Sequence, residues 1–379
     1  VVTGEDIERH PGREVLAGGA EHQHPGLPGV VERAHRIAQR GEEARVHGVH
    51  LPGAVEGEAG DAGGEVMVVS GWLHGEPNRN GGMLASPAQH AARLHAMSPL
   101  IATRDGLALH LRHWGSEVAP RGHVLIVHGL GEHSARYEHV AAALNSHGWH
   151  VVAYDQRGHG RSAGARGDIA AVDSLLDDLA CVMDAVRGEL RGPLVLLGHS
   201  PGGLVAARFV AEGLMPRPAA WWRPVDALVL SSPALDPGMN AVQKLLLAVV
   251  PKLLPHLRVG NGLNPAWISR DGAVVQAYVN DPLVHDRISG LLGRFVAEAG
   301  EEVQAVADRW QLPTLLMWAG ADRCVAPAGS ARFAAAAKRG VLTAGEWPGL
   351  SHEIFNEPEK EEVLAALDSW LDQRYPSGV

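Results

Sequence analysis

Cysteine, lysine and aromatic residues are all scarce in this chain of 379 residues. It has two cysteines, Cys181 and Cys324, and so low a count favours free thiols in a reducing compartment over a disulfide framework. Aromatic residues make up 5% of the sequence, so aliphatic side chains must fill most of any core. With 46% apolar residues, the composition is that of a soluble α/β protein with one large domain or two.

Positive charge is also in short supply, since the formal net charge is -10. A nucleic-acid partner is not expected, because neutralising phosphates requires a basic face. No apolar run approaches the length that spans a membrane, and residues 1–30 lack the apolar stretch of a signal peptide. We therefore expect a cytoplasmic protein and leave peripheral contact with membranes open.

The motifs that bind common cofactors are missing as well. Neither G-x-G-x-x-G nor a lysine-bearing P-loop occurs, which argues against nucleotide binding. Four histidines are candidates for a metal site but lack a ligand spacing such as H-E-x-x-H: His128, His133, His159 and His199. We expect these histidines to be structural.

Residues 1–96 have scattered His, Gly, Glu and Arg, a single aromatic residue (Trp72) and no apolar periodicity. This composition predicts a disordered N-terminal extension. One alternative is a translation start further along the chain, at Met83 or Met97. Another is a metal-binding tail, although its candidate ligands have no regular spacing: His22, His24, His47 and His50.

Between residues 97 and 379, short apolar runs alternate with segments of helical periodicity. The predicted strands are Leu107–Trp114, His123–His128, Trp149–Tyr154, Pro193–Leu197, Ala227–Ser231, Thr314–Trp318 and Val341–Glu346. The predicted helices include Ser134–Ser146, Leu175–Val186, Leu204–Glu212 and Val363–Leu371. This alternation predicts an α/β fold with a mostly parallel central sheet and helices on both faces.

An insertion at about residues 236–308 interrupts the alternation. Within it, residues 244–255 are apolar on almost every side, and Pro251 should prevent one long helix. A helical cap over the carboxyl ends of the strands explains this composition, because open sheets bind ligands at that end. The alternative is a pair of core helices. Four apolar side chains of the insertion are candidates for contact with a ligand: Leu245, Leu246, Val249 and Leu253.

Ser200 stands between a predicted strand and a predicted helix, in the sequence Gly198-His199-Ser200-Pro201-Gly202. A strand that turns directly into a helix bends sharply, and the two glycines remove side chains that would clash there. The hydroxyl then lies at a helix N-terminus, where backbone dipoles favour negative charge. This pattern predicts a nucleophilic serine on an elbow. The alternative is an ordinary capping serine in a glycine-rich turn.

A serine hydroxyl needs a base to remove its proton and an acid to orient that base. Asp322 lies just after the strand that ends near Gly320, and His352 lies in the loop after the last strand. The chain order Ser, Asp, His is that of α/β-hydrolases, so these residues predict a catalytic triad. Taken singly, Asp322 could be a turn residue and His352 a loop histidine.

The segment His128-Gly129-Leu130-Gly131 follows a strand directly, so the Leu130 N–H can point at a carbonyl oxygen bound over Ser200. The second oxyanion donor normally comes from the residue after the nucleophile. Pro201 occupies that position and has no N–H, so the Gly202 N–H is a candidate replacement. Proline also favours extended backbone at the residue before it, which opposes a strained elbow.

Together these motifs resemble the monoacylglycerol lipase and lysophospholipase branch of the serine α/β-hydrolases. The resemblance covers residues 97–379 and rests on HGLGEHSARY (128–137), DQRGHGRS (155–162), GHSPGG (198–203), ISR (268–270) with DPL (281–283), GADR (320–323) and HEIFNE (352–357). It implies the α/β-hydrolase fold with a mobile helical cap. It also implies a serine esterase that acts on monoacylglycerol or lysophospholipid without a cofactor.

The resemblance implies that Ser200 is the nucleophile, Asp322 the orienting acid, His352 the base and Leu130 an oxyanion donor. It further implies that the four apolar cap residues named above contact an acyl chain, and that the cap can touch a membrane or micelle. Pro201 is the main departure from the pattern. It leaves open a lipid-binding member of the fold with weak turnover. A second alternative, independent of Pro201, is an acyltransferase on the same triad, in which an alcohol replaces water.

Overall fold

A mixed α/β arrangement is found in this computed structural model, which describes residues 99–115, 120–189 and 192–376. The predicted N-terminal extension lies outside these residues. The strands of the described ranges are β1 (Leu100–Ala102), β2 (Ala108–Trp114), β3 (Gly122–Val127), β4 (Trp149–Tyr154), β5 (Leu194–His199), β6 (Ala227–Ser231), β7 (Arg258–Gly260), β8 (Arg287–Ser289), β9 (Thr314–Ala319) and β10 (Leu342–Trp347). The α-helices are α1 (Glu138–Ser146), α2 (Ser174–Glu189), α3 (Ser200–Glu212), α4 (Ala241–Leu253), α5 (Gly272–Asn280), α6 (Gly290–Ala305), α7 (Pro327–Ala336) and α8 (Lys360–Arg374).

Eight strands form one sheet in the order β1-β2-β4-β3-β5-β6-β9-β10, and β7 pairs with β8 separately. Six adjacent strands of this sheet are parallel to one another, namely β4, β3, β5, β6, β9 and β10. Strand β2 is antiparallel to both of its neighbours, β1 and β4. The inner strands are buried along their whole length, as the continuous apolar runs predict for a sheet covered on both faces.

Helices cover both faces of the sheet. One apolar cluster joins the sheet to α2, α3 and α6 and contains Leu125, while the other joins it to α1 and α8 and contains Ile126. Successive residues of β3 therefore enter opposite cores, because side chains alternate along a strand. The prediction of a mostly parallel sheet between two helical layers is confirmed.

Several element boundaries differ from the prediction. The helix after β5 begins at Ser200 and not at Leu204, because the glycine-rich turn is itself part of the helix. Helix α4 continues past Pro251 to Leu253, so the proline does not end it at once. The short edge strand β1 was not predicted. No helix in the described ranges has the length and apolar character needed to cross a bilayer.

The predicted cap insertion, at about residues 236–308, includes helix α6. Helix α6 packs against α3 and buries Leu292, Phe295 and Val303 in the larger core. Its apolar stripe is therefore part of the helical layer on the sheet. Between β6 and this helix, the described chain forms α4, β7, a 3-10 helix at Pro265–Trp267, α5 and β8.

Candidate active site

The carboxyl ends of the central strands bring the candidate site together. Val127 of β3 pairs with Gly198 of β5, and His199 pairs with Ser231 of β6. The loops that follow these strands therefore leave the sheet side by side. The segments after β9 and β10 leave the same edge, because those two strands are parallel to β6.

Ser200 directly follows β5 and is the first residue of α3. Its φ of 55° is in the left-handed region, which a residue with a side chain rarely adopts. Glycines make this turn possible. A Cβ on Gly198 would lie 2.6 Å from the carbonyl oxygen of Gly202. A Cβ on Gly202 would lie 2.1 Å from the carbonyl oxygen of His128. The strained elbow forms although Pro201 follows the serine.

Ser200, His352 and Asp322 form a hydrogen-bonded chain. His352 Nε2 lies 2.6 Å from Ser200 Oγ, and His352 Nδ1 lies 2.7 Å from Asp322 Oδ2. The other Asp322 oxygen accepts the N–H groups of Cys324 at 2.8 Å and Val325 at 3.1 Å. Asp322 thus forms a turn and orients the histidine at once, so the two interpretations of this residue are not exclusive.

The charge of Asp322 sets the protonation of the histidine. Burial by itself lowers the pKa of His352, but the adjacent Asp322 carboxylate, together with Glu353 and Glu132, outweighs burial and leaves the pKa raised. His199 lies beside it, with ring centroids 4.8 Å apart. Burial, reinforced by repulsion from protonated His352, lowers the pKa of His199 to about 4. His199 is therefore uncharged above a pH of about 4, and His352 is the one of these two rings that hydrogen-bonds to Ser200.

The loop that carries His352 is held by the carboxylate of Glu357. This buried side chain accepts the backbone N–H of Ser351 at 3.0 Å and that of Arg270 at 2.5 Å. The backbone N–H of Glu353 donates to the carbonyl oxygen of Ile268 at 2.8 Å. Residues 268–270 and 352–357, two of the motifs on which the family resemblance rests, therefore contact each other. These contacts hold the loop of His352 in place.

Leu130 and Pro201, the two predicted oxyanion positions, line the same cavity as Ser200. The turn before Leu130 is held by Glu132, whose Oε1 accepts the Gly129 N–H at 2.5 Å. Pro201 occupies the first turn of α3, where its missing N–H removes no helical hydrogen bond. Gly202 follows within the same turn and is buried.

A cavity of about 1040 Å³ opens above Ser200 and is walled mainly by apolar residues of the insertion. Of the predicted ligand contacts, only Leu246 is in this wall, together with Leu247 and Val250. Leu245, Val249 and Leu253 face outward and are 66%, 46% and 72% exposed. The prediction was wrong for these three residues, because a helix that is apolar all round does not reveal which side faces the ligand.

Two groups of residues could in principle ligate a metal ion. Within the described ranges, one trio of potential ligands has its ligand atoms within 4.8 Å of one another: Asp322, Cys324 and His352. A cation there would have to displace the proton between Asp322 and His352. The four histidines considered as ligands from the sequence instead form hydrogen bonds to protein groups.

Sequence reasoning gave no role to Glu132, Arg136 and Glu353, which are buried or nearly buried beside the site. The spacing of Glu132 and Arg136 is the helical ion-pair spacing, which is a weak signal in the sequence. Nothing in the sequence indicates that Glu353 joins them.

The sheet, the elbow and the hydrogen-bonded chain define an α/β-hydrolase of the serine type. The family model described as serine aminopeptidase, S33, matches residues 118–359. The chain is 33% identical over 262 residues to the monoacylglycerol lipase of Mycolicibacterium smegmatis, covering 68% of this chain and 90% of that protein. The chain therefore belongs to the family of serine hydrolases that this model describes.

Two further comparisons agree. The crystal structure of the Paleococcus ferrophilus monoacylglycerol lipase is matched with a TM-score of 0.62 and 38% identity, covering 70% of this chain and 98% of that one. An uncharacterized abhydrolase domain-containing protein of Dictyostelium discoideum is 32% identical over 275 residues. The chain spans 28% of that relative's length.

Proposed function

We propose that this protein hydrolyses carboxylic esters of lipids, with monoacylglycerol or lysophospholipid as substrate, through an acyl-enzyme on Ser200. The observation that carries the proposal is the Ser200–His352–Asp322 chain at the floor of a large apolar cavity. The names of the similar proteins, which are lipases, support the same substrate class. They do not favour the acyltransferase or lipid-binding alternatives.

In the acylation step, His352 Nε2 accepts the Ser200 proton as Oγ attacks the ester carbonyl carbon. The carbonyl oxygen becomes an oxyanion, which the Leu130 N–H stabilises. His352 then donates the proton to the alcohol oxygen as the ester C–O bond breaks, and an acyl chain remains on Ser200. Asp322 stays ionised throughout and stabilises the imidazolium.

In the deacylation step, water occupies the place of the alcohol. His352 accepts a proton from the water as its oxygen attacks the acyl carbon, and a second oxyanion forms in the same place. When the bond to Ser200 Oγ breaks, His352 returns the proton to the serine and the fatty acid leaves. Each step therefore ends with His352 neutral and ready to act as a base again.

The apolar wall of the cavity supports a lipid with a single acyl chain. Leu246, Leu247 and Val250 of α4 form part of its wall, and so do Leu257 and Val259 beyond the helix. An acyl chain that is transferred from water to such a wall gains about 0.8 kcal/mol per buried CH₂ group. The polar groups Glu132 and Glu353 lie at the floor, near Ser200, where the alcohol part of the ester would lie.

The outer face of α4 supports contact with a lipid surface. Val242, Leu245 and Leu253 are all more than 60% exposed there, and Leu254 beyond the helix is 55% exposed. Exposed large apolar side chains grouped on one element in this way typically mark a membrane or protein contact. We propose that this face rests on the membrane or micelle that supplies the substrate.

Hydrolysis of p-nitrophenyl esters with chains of two to sixteen carbons tests the function, with monoacylglycerol and lysophosphatidylcholine as natural candidates. We expect kcat/KM to rise with chain length until the cavity is filled. A protein that hydrolyses none of these esters at its best pH would refute the proposal.

A further inference from the structure

Glu132 anchors the turn that carries the Leu130 N–H. Its carboxylate is buried, and Oε1 accepts the Gly129 N–H at 2.5 Å and the Tyr137 hydroxyl at 2.7 Å. Burial by itself raises the pKa of Glu132, but the charge of Arg136, together with the nearby histidines and the Tyr137 hydrogen bond, outweighs burial and brings the pKa to about 2. The carboxylate is therefore ionised and holds the turn with charged hydrogen bonds.

Glu353 anchors the loop that carries His352, which is its neighbour in the chain. Its side chain is 6% exposed, and its carboxylate accepts hydrogen bonds from both terminal nitrogens of Arg136, at 2.6 and 2.7 Å. Asn356 Nδ2 also donates to it at 2.8 Å. A shift of Glu353 would therefore move His352 relative to Ser200.

Arg136 connects these two anchors. Its NH1 nitrogen is 2.7 Å from Glu132 Oε2 as well as 2.6 Å from Glu353 Oε1, and its side chain is 12% exposed. The ring of Tyr278 in α5 covers the guanidinium at 4.9 Å. Among the described residues that line the cavity are Glu132 and Glu353 but not Arg136, so the arginine lies behind the wall.

We infer that Arg136 is a positioning residue that sets the distance between the oxyanion turn and the His352 loop. The inference rests on the proposed ester hydrolysis at Ser200. The oxyanion donor must reach the oxyanion oxygen while the base reaches another oxygen on the same tetrahedral carbon, and a misplacement of 1 Å can lower the rate about a hundredfold. The two groups come from loops 222 residues apart (352 less 130), and Arg136 is the cation that both carboxylates share.

Arg136→Lys is the primary test. Lysine keeps the charge but cannot reproduce the planar fork that reaches both carboxylates. We expect kcat on a short p-nitrophenyl ester to fall about tenfold to a hundredfold, with KM changed by less than about twofold, because substrate does not touch this side chain. Labelling of Ser200 by a fluorophosphonate should slow by a similar factor.

Arg208→Lys is the matched control. Arg208 also bridges two glutamates, Glu212 at 2.8 Å and Glu302, but it joins α3 to α6 away from the cavity wall. The two variants should lose similar thermal stability, whereas only Arg136→Lys should lose kcat. A folded Arg136→Lys protein with wild-type kcat would overturn the inference.

A double-mutant cycle separates positioning from general damage. If Arg136 acts through Glu353, the losses of kcat in Arg136→Met and Glu353→Gln should not multiply in the double variant. Losses that multiply would contradict the inference. If neither Arg136 variant folds, Glu353→Gln alone decides, since an unchanged kcat in that protein would show that the bridge is not needed. Failure of the proposed function is a different result, namely wild-type protein without ester turnover or fluorophosphonate labelling.

Discussion

Ser200 Oγ lies 2.6 Å from His352 Nε2, although 152 residues separate the two in the chain. This contact predicts that Ser200→Ala abolishes ester hydrolysis and fluorophosphonate labelling. The fold should persist, since alanine keeps the Cβ and only one hydrogen bond of about 1 kcal/mol is lost. Ser232→Ala is the control, because Ser232 is also buried and also has positive φ, at 40°. Labelling that survives in Ser200→Ala would eliminate this serine as the nucleophile.

The dependence of activity on pH should follow His352. Catalysis needs its neutral form, so kcat/KM should fall as the pH drops below the raised pKa of this residue. Asp322→Asn removes the charge that raises the pKa, so the acidic limb should move to lower pH. The plateau should also fall by about 10⁴, because the imidazole loses its orienting partner. A pH–rate profile of both proteins measures the two effects, and an acidic limb that stays in place would contradict the assignment.

Pro201 should limit the rate. Loss of one oxyanion donor costs about 2.7 to 4 kcal/mol in comparable sites, unless another group such as the Gly202 N–H replaces it. We expect Pro201→Met or Pro201→Leu to raise kcat on a short-chain ester at least about tenfold, with KM little changed. Pro327→Met, at the first turn of α7, is the control for removing a helix-starting proline. An equal or lower kcat in both Pro201 variants would mean that the elbow is already adapted to proline.

Alanine substitutions at Gly131 and Gly106 distinguish the cost of backbone strain from the cost of a clash with the segment at His285. Both have positive φ, at 80° and 81°, so alanine at either position should cost about 1 to 2 kcal/mol. A Cβ on Gly106 meets nothing within 4 Å, whereas one on Gly131 would lie 2.3 Å from the carbonyl oxygen of His285. We expect Gly131→Ala to be clearly the less stable of the two in thermal unfolding and to lose activity as well. Equal stabilities would show that the segment at His285 yields easily.

The outer face of α4 should matter only when substrate is presented on a surface. Replacing both Leu245 and Leu253 by Gln should weaken binding to phosphatidylcholine vesicles at least about tenfold, because two exposed leucines no longer enter the lipid. Turnover of a water-soluble short ester should be unchanged. Leu100→Gln, which changes an exposed leucine of the edge strand β1, is the control. A loss of short-ester turnover would mean that these side chains contact substrate after all.

Local patterns sufficed for much of the fold and for the residues proposed as the triad. The strand, the glycines and the serine of residues 194–203 are adjacent in the chain, so their sequence determines the elbow geometry directly. Asp322 and His352 could be identified because each follows a strand, and parallel strands end at one edge of the sheet. The apolar runs likewise predicted a mostly parallel sheet, since only buried strands are apolar on both faces.

Only the tertiary structure decided the relationships between distant segments. Helix α4 is apolar all round, so its sequence did not reveal that Leu247 and Val250 face the cavity while Leu245 and Leu253 face solvent. Helix α6 has the stripe of any amphipathic helix, and only its packing on α3 places it in the core. The bridge from Glu132 through Arg136 to Glu353 depends on contacts across 217 residues, and these arise from the folded arrangement of the loops and not from any local pattern.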